Sequence, residues 1–310
     1  MATTKILVTG GAGFIGSNTV DSLVDQGAFD ISVIDDLSSG KRGQLNRAAR
    51  FYQGDLRNRA FVKEVVAREQ PAVMLHLAAQ MDVRRSVADP VFDAEVNLIG
   101  VLNLLEEGRA HGLRRVVFSS TGGAIYGEQE AFPCDEDHPL RPVSPYGVAK
   151  LATEKYLFFY QLQYGIDYLA LRYANVYGPR QDPHGEAGVV AIFCARMLEG
   201  HPVKIFGDGE QTRDYVYVGD VVRANLAGLA SNASGAINIG TGIETSVNQL
   251  YGELAAENFQ LKPIYEAPRP GEQRRSVISP ARALRELKWA PEVPLASGLA
   301  RTYDFFKSRR

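Results

Sequence analysis

Short apolar runs recur along the chain at residues 5–9, 31–34, 50–53, 73–77, 115–119 and 168–173, and each is followed by a segment of helix length. Strand-like runs alternating with helical ones predict an α/β chain with a parallel, doubly wound sheet. Such a sheet takes its ligands at the carboxyl ends of the strands. The small and polar clusters fall at those ends: residues 10–16, Asp35 and Asp36, the Gly54, Asp55 and Leu56 cluster, Ala78 and Ala79 with Gln80, Ser119 with Ser120 and Thr121, and Asn175. Six predicted strand ends therefore converge on one crevice. After Gly178 and Pro179 the alternation fails, and shorter elements follow with Pro and Gly punctuation at 200–202, 207–209 and 268–271. That shift predicts a smaller C-terminal α/β lobe over 179–310 beside a first lobe over 1–178, with residues 218–240 expected to return to the first.

The run GGAGFIG over residues 10–16 sits where a strand should end and a helix begin, and Gly11, Gly13 and Gly16 fit the G-x-G-x-x-G spacing. In that spacing the glycines make a tight turn, let the backbone approach a pyrophosphate and let helix pack on strand, while the helix N-terminus faces the phosphates. About twenty residues on, Asp35 and Asp36 close the next apolar run, where a carboxylate accepts from ribose hydroxyls. An acid there repels a 2′-phosphate, so NAD is expected rather than NADP.

Tyr146 and Lys150 are four apart in a segment that reads as helix, and so share one face. Free tyrosine ionises near pH ~10 and serves as a base at neutral pH only where a nearby cation favours the phenolate. Lys150 is placed to supply that charge.

Composition narrows the reading further. The 310 residues, 45% of them hydrophobic, suffice for a large core and roughly two domains. A net charge of -2 gives no electrostatic case for nucleic acid or an acidic membrane surface. Cys134 and Cys194 lie far apart without metal-ligand spacing, so two reduced thiols and no metal site are expected. No charged-then-apolar leader and no run near ~18 apolar residues is present, which predicts a cytoplasmic protein.

With the glycine turn, Asn97, the Ser119-Ser120-Thr121 run and Tyr146-x-x-x-Lys150 in order, the whole chain resembles the extended short-chain dehydrogenase/reductase family, whose sheet is of Rossmann type. FSSTGGAIYG over 118–127, RYANVYGPRQ over 172–181 and GDGEQTRDYV over 207–216 resemble its nucleotide-sugar branch, the NAD-dependent epimerases and dehydratases, and UDP-glucose 4-epimerases most. The resemblance implies Tyr146 as base, Lys150 as its electrostatic partner and a ribose ligand, and Thr121 as the hydroxyl that bonds the reacting sugar oxygen. The TGGAIYG stretch has one residue more than the usual pattern, which leaves Ser120 as the alternative hydroxyl. The implied NAD contacts are Gly10, Gly11, Gly13, Phe14, Ile15, Gly16, Asp35, Asp36, Ser39, Gly40, Asp55, Leu56, Leu77, Ala78, Ala79, Asn97, Ser119, Tyr146, Lys150 and Tyr173. For a UDP-hexose they are Thr121, Asn175, Gly188, Val189, Phe193, Lys204, Phe206, Arg213, Arg269, Glu272 and Ser276, with the two arginines clamping the phosphates, a task that suits planar guanidinium forks.

The implied reaction is inversion at C4 through a 4-keto sugar, with UDP-N-acetylhexosamines accepted if Ser276 leaves room beside the hexose. Other nucleotide-sugar epimerases, UDP-glucuronate 4-epimerase for example, remain open, as does a non-catalytic NAD-binding protein. Dehydratases of the family carry an Asp-Glu pair directly after the active-site Thr; this chain has Gly122 and Gly123, so dehydration is not expected. The apolar run YLFFY over 156–160 is too broad to be buried against its own sheet alone, and the resemblance implies that it contributes to a homodimer.

Overall fold

The structure is a computed structural model that describes residues 3–184, 188–255, 260–268 and 273–309. Its first lobe runs β1 (Thr4–Thr9), α1 (Phe14–Gln26), β2 (Phe29–Asp35), β3 (Arg50–Gln53), α2 (Arg59–Glu69) and β4 (Val73–His76). Next come α3 (Val83–Ala88), α4 (Pro90–Ala94), which continues through a π-helical turn at Glu95–Ile99 into α5 (Gly100–Ala110), then β5 (Arg115–Thr121), α6 (Pro145–Tyr164) and β6 (Asp167–Tyr173). All six strands are parallel, in the order β6-β5-β4-β1-β2-β3, and the strand Gly235–Ile239 adds itself to the free side of β6.

The strand order reverses beside β1, whose neighbours are β2 and β4, and this is where a doubly wound sheet opens a crevice. The sheet is apolar on both faces, as buried parallel strands are. Ile6, Val8, Val33 and Val117 pack towards α1 and the helix Val218–Ala230, while Leu7, Ile34, Met74, Val116 and Phe118 pack towards α2, α5 and α6. β5 extends two residues beyond the apolar run, because Ser120 and Thr121 are in register with Arg172 and Tyr173 of β6. The strand end that carries the candidate hydroxyls is therefore part of the ladder, not a loop.

A third core, around Tyr177, Phe193, Leu250 and Tyr303, underlies the smaller lobe. There the strand Asn175–Tyr177 pairs with Tyr215–Tyr217, Lys204–Phe206 with Ile264–Glu266, and Thr212–Arg213 with Thr245–Ser246. The helix Val218–Ala230 packs back on α1, so the chain crosses between lobes more than once.

Candidate functional site

β1 ends in a turn built on absent side chains. Gly10 has a φ of +72°, and a β-carbon there would stand 2.6 Å from the Ala78 nitrogen, where the chain leaves β4 beside Leu77 and Ala79. Gly11 abuts Val33 of β2, and Gly13 is the N-cap of α1 with no side chain capping the helix. The first-turn N–H groups around Phe14, Ile15 and Gly16 thus face the crevice with a helix dipole behind them, a donor set that fits a dinucleotide pyrophosphate. Asp35 closes the cradle: its carboxylate accepts from Ala12 N at 2.9 Å and Leu37 N at 2.8 Å, and burial holds it above the usual carboxylate range. Asp36 accepts from the Ser38 backbone and hydroxyl, and the following loop at Ser39 and Gly40 lies against the Asp35 carboxylate. An acidic end to β2 fits a ribose with a free 2′-hydroxyl.

On the other side of the crevice, α6 presents Tyr146 and Lys150. The helix begins at Ser144, whose hydroxyl accepts from Gly147 N, with Pro145 at its first position, a start that fixes where Tyr146 emerges. Lys150 is 2% exposed; its ammonium donates to the Ser119 carbonyl at 2.9 Å, and burial pushes it down to about 7 against the opposing pull of Asp93 and Glu154. The Tyr146 ring is half-buried, and burial of its hydroxyl end, followed by the nearby Asp93 charge, raises the phenol above its ordinary value. The depression by Lys150 expected from spacing does not set the phenol in the resting protein: desolvation, then the Asp93 charge, does.

The two candidate hydroxyls on β5 part company. Ser120 is 3% exposed and donates to Glu154 Oε1 at 2.6 Å, so it is turned into the helix layer. Thr121 is half-buried at the strand end and accepts from Ala124 N at 3.2 Å. A β-carbon on Gly123 would lie 3.8 Å from Asn175 Oδ1 and 4.0 Å from Thr121 Oγ1, which places Thr121, Gly123 and Asn175 around one space. Gly122, by contrast, is closed by Ile278 Cδ1 at 2.6 Å and the Tyr173 carbonyl at 3.2 Å.

Other expected contact residues have partners within the chain. Asn97 lies in the π-helical turn, where its amide exchanges bonds with the Gln80 backbone and donates to Asp93, so its side chain braces the chain after β4 and is not a free ligand. Asp55 is paired with Arg57 at 2.6 Å, and Leu56 is buried against Gly100. The Tyr173 hydroxyl donates to Asn225 at 2.5 Å. Phe193 is 2% exposed and packs edge-on against Tyr251 in the third core, so its ring supports the lobe. Gly188 caps the helix Val189–Leu198, and Val189 with Asn175 borders a small cleft.

Lys204 is paired with Glu266 at 2.7 Å beside an open groove of roughly 510 Å³ lined by Phe206, Asp208, Gln211, Glu266 and Arg274. The Arg213 guanidinium donates to the Thr212 carbonyl at 2.7 Å. Ser276 is 4% exposed, and its carbonyl accepts from Asp214 N. Arg269 and Glu272 lie outside the described residues. Sequence reasoning missed Glu154, Arg172, Asp93 and the groove residue Arg274; Glu154 was signalled by its place four residues after Lys150, on the same helix face. Among the described residues no cluster of His, Cys, Asp or Glu could hold a metal, and no helix is long and apolar enough to cross a membrane.

The family model for the NAD-dependent epimerase/dehydratase family matches residues 6–240. The UDP-glucose 4-epimerase of Mycolicibacterium smegmatis is 46% identical over 98% of this chain and 99% of its own. The Thermotoga maritima UDP-glucose 4-epimerase, solved with UDP-glucose, superposes with a TM-score of 0.95 at 49% identity, covering 99% of each chain. The Thermus thermophilus UDP-glucose 4-epimerase in complex with NAD gives 0.92 at 44% identity, covering 99% of this chain and 100% of that one.

Proposed function

The chain belongs to the NAD-dependent epimerase/dehydratase family, and from that premise we propose that it interconverts UDP-galactose and UDP-glucose by inverting C4 through a 4-keto sugar. The observation that carries this reading is the Tyr146 and Lys150 pair across the crevice from Thr121, with glycines where elimination would need carboxylates. Gly122 in particular has no room for a side chain without displacing Ile278.

NAD, when bound, supplies a hydride acceptor that returns what it took, so no cofactor is consumed. The uncapped start of α1 holds its phosphates, and Asp35 takes a ribose hydroxyl. Tyr146 removes the proton of the sugar 4-hydroxyl and later gives it back. Lys150, tied to Ser119, lowers the energy of the phenolate against the burial that opposes it. Thr121 holds the reacting oxygen, a role to which its half-exposed hydroxyl is suited and that of Ser120, bonded to Glu154, is not. Asn175, Arg213 and Arg269 hold the diphosphate and Glu272 the uridine ribose, leaving the hexose free to turn and present its other face.

Our reading extends to a first lobe over 1–178, with residues 218–240 returning to it, for NAD and a second formed mainly by 179–310 for the nucleotide sugar, to a cytoplasmic location, supported by two buried free thiols, and to a homodimer. Phe158, Phe159 and Leu162 of α6 are 50%, 47% and 71% exposed, and Val91 of the adjoining α4 is 68% exposed, an apolar face that a second copy would cover. UDP-N-acetylhexosamines are included as substrates on the strength of Ser276.

Mixing the pure protein with UDP-galactose, without added cofactor, and assaying UDP-glucose tests the reading, together with NAD released on denaturation. Turnover and about one NAD per chain are expected. Absence of bound NAD, with activity that depends on NADPH, overturns it.

A further inference from the structure

Glu154 stands one turn beyond Lys150 and two turns beyond Tyr146 on α6, so the three side chains share a face of the helix. Lys150 and Glu154 grip consecutive residues of β5: the ammonium takes the Ser119 carbonyl at 2.9 Å, and Ser120 Oγ donates to Glu154 Oε1 at 2.6 Å. Arg172 of β6 locks the carboxylate from the other side, its Nε donating to Oε1 at 3.0 Å and Nη2 to Oε2 at 2.7 Å. Arg172 Nη1 also donates to the Tyr126 hydroxyl at 2.9 Å, which donates to Asn238 Oδ1 at 2.6 Å, so the guanidinium is itself held in a buried network.

A buried ion pair is weak evidence of a gain in stability, because desolvation offsets much of the attraction. The consequence of this one is geometric. It bolts the helix that carries Tyr146 to the strand end at Thr121, the residue after Ser120. We infer that Glu154 is a positioning residue, which through the Ser120 hydroxyl sets the placement of Tyr146 relative to Thr121 for oxidation at C4. The inference rests on the roles proposed above for those two residues. Small displacements of reacting groups cost rate far more than binding, and the nucleotide is held from the second lobe, so loss of the link slows turnover and leaves substrate affinity in place.

A second consequence follows from charge. The ammonium of Lys150 is faced by Asp93 of α4, by His76 of β4, which burial keeps neutral, and by Tyr146 and Glu154 of its own helix. Asp93 and Glu154 are the groups that hold it protonated against burial.

The test is kcat and KM for UDP-galactose, per mole of bound NAD and across pH, for Ser120→Ala, Glu154→Gln and the double variant. Each single change is expected to lower kcat about tenfold with KM unchanged within about twofold. The double variant falls no further than the worse single one, since the Ser120 hydroxyl acts only through a Glu154 carboxylate that Arg172 holds in place. Glu154→Gln also moves the pH at which the profile levels off to lower pH, because Lys150 loses a supporting charge; Ser120→Ala leaves it in place. An unchanged kcat in either single variant, losses that multiply in the double, or KM rising in step with the fall in kcat overturns the inference. Should Glu154→Gln fail to fold, Glu154→Asp, which keeps the charge and shortens the reach, takes its place in the same cycle. Tyr146→Phe is the control: an active Tyr146→Phe protein overturns the underlying reading, whereas an inactive one beside a normal Ser120→Ala overturns the positioning role alone.

Discussion

A β-carbon on Gly16 would stand 2.0 Å from the carbonyl oxygen of Gly10, so the first turn of α1 lies directly on the turn that leaves β1. No side chain fits between them. The same construction at Gly13 leaves 3.3 Å to that oxygen, and its backbone is extended, a conformation any residue adopts.

The two glycines therefore separate by experiment. Gly16→Ala is expected to push α1 off the turn, lowering stability by about 1–3 kcal/mol and releasing most of the bound NAD. Gly13→Ala should keep the fold and the melting midpoint but lose NAD, because its β-carbon would stand where the backbone approaches the pyrophosphate. Thermal melts and nucleotide assay of the two purified variants decide it, and a Gly16→Ala protein with full NAD and an unchanged midpoint would show that close packing is not what the glycine provides.

Tyr146→Phe is expected to lower kcat by about 10²–10⁴-fold with UDP-sugar binding nearly intact. The pH profile probes its partner. Burial pushes Lys150 down to about 7 and the Tyr146 phenol up, so the reactive phenolate beside an ammonium holds one proton fewer than the pair does below that value and the same number above it: kcat/KM rises with pH up to that value and levels off beyond it. Lys150→Arg keeps its charge throughout and should be slower and go on rising with pH over the same range. A wild-type profile that is level below neutrality, or that goes on rising well above it, would remove Lys150 titration from the mechanism.

The sheet was legible because buried parallel strands are continuous apolar runs, and the glycine turn because its parts are close in sequence. What escaped was burial. Asn97 and Phe193 look like ligands by position, yet the first is bonded to Gln80 and Asp93 and the second packs on Tyr251. Spacing put Lys150 next to Tyr146 but said nothing of the desolvation that raises the phenol. The Glu154 and Arg172 pair joins α6 to β6 across 18 residues of sequence, and which hydroxyl of Ser120 and Thr121 faces the helix layer depends on strand register, fixed by the pairing of β5 with β6.

The exposed apolar face of α6 leads to a prediction about assembly. Light scattering at micromolar concentration is expected to give twice the chain mass of 33.9 kDa. Leu162→Glu, at a position 71% exposed in the single chain, should yield a folded monomer, because a carboxylate in an apolar interface has no partner there. A monomeric wild type would rule the dimer out.

Ser276 bears on how large a sugar is accepted. Its segment is stitched to the loop that follows Thr121, where Gln273 Nε2 donates to the Gly127 carbonyl at 2.6 Å and Val277 N to Gln129 Oε1 at 2.9 Å, and to the chain between the strands Thr212–Arg213 and Tyr215–Tyr217, where the Ser276 carbonyl accepts from Asp214 N at 2.9 Å. Backbone held at so many points cannot retreat from added bulk, so a larger side chain at 276 must claim space from its surroundings. A wall rejects a larger substrate by overlap more effectively than it rejects a smaller one by lost contact. Ser276→Tyr is accordingly expected to abolish conversion of UDP-N-acetylgalactosamine and to spare UDP-galactose, with the wild type turning over both. Equal loss on the two sugars, or a wild type inert towards the N-acetyl sugar, would take the residue out of substrate selection, since either result means that the space beside Ser276 is not where the 2-substituent goes.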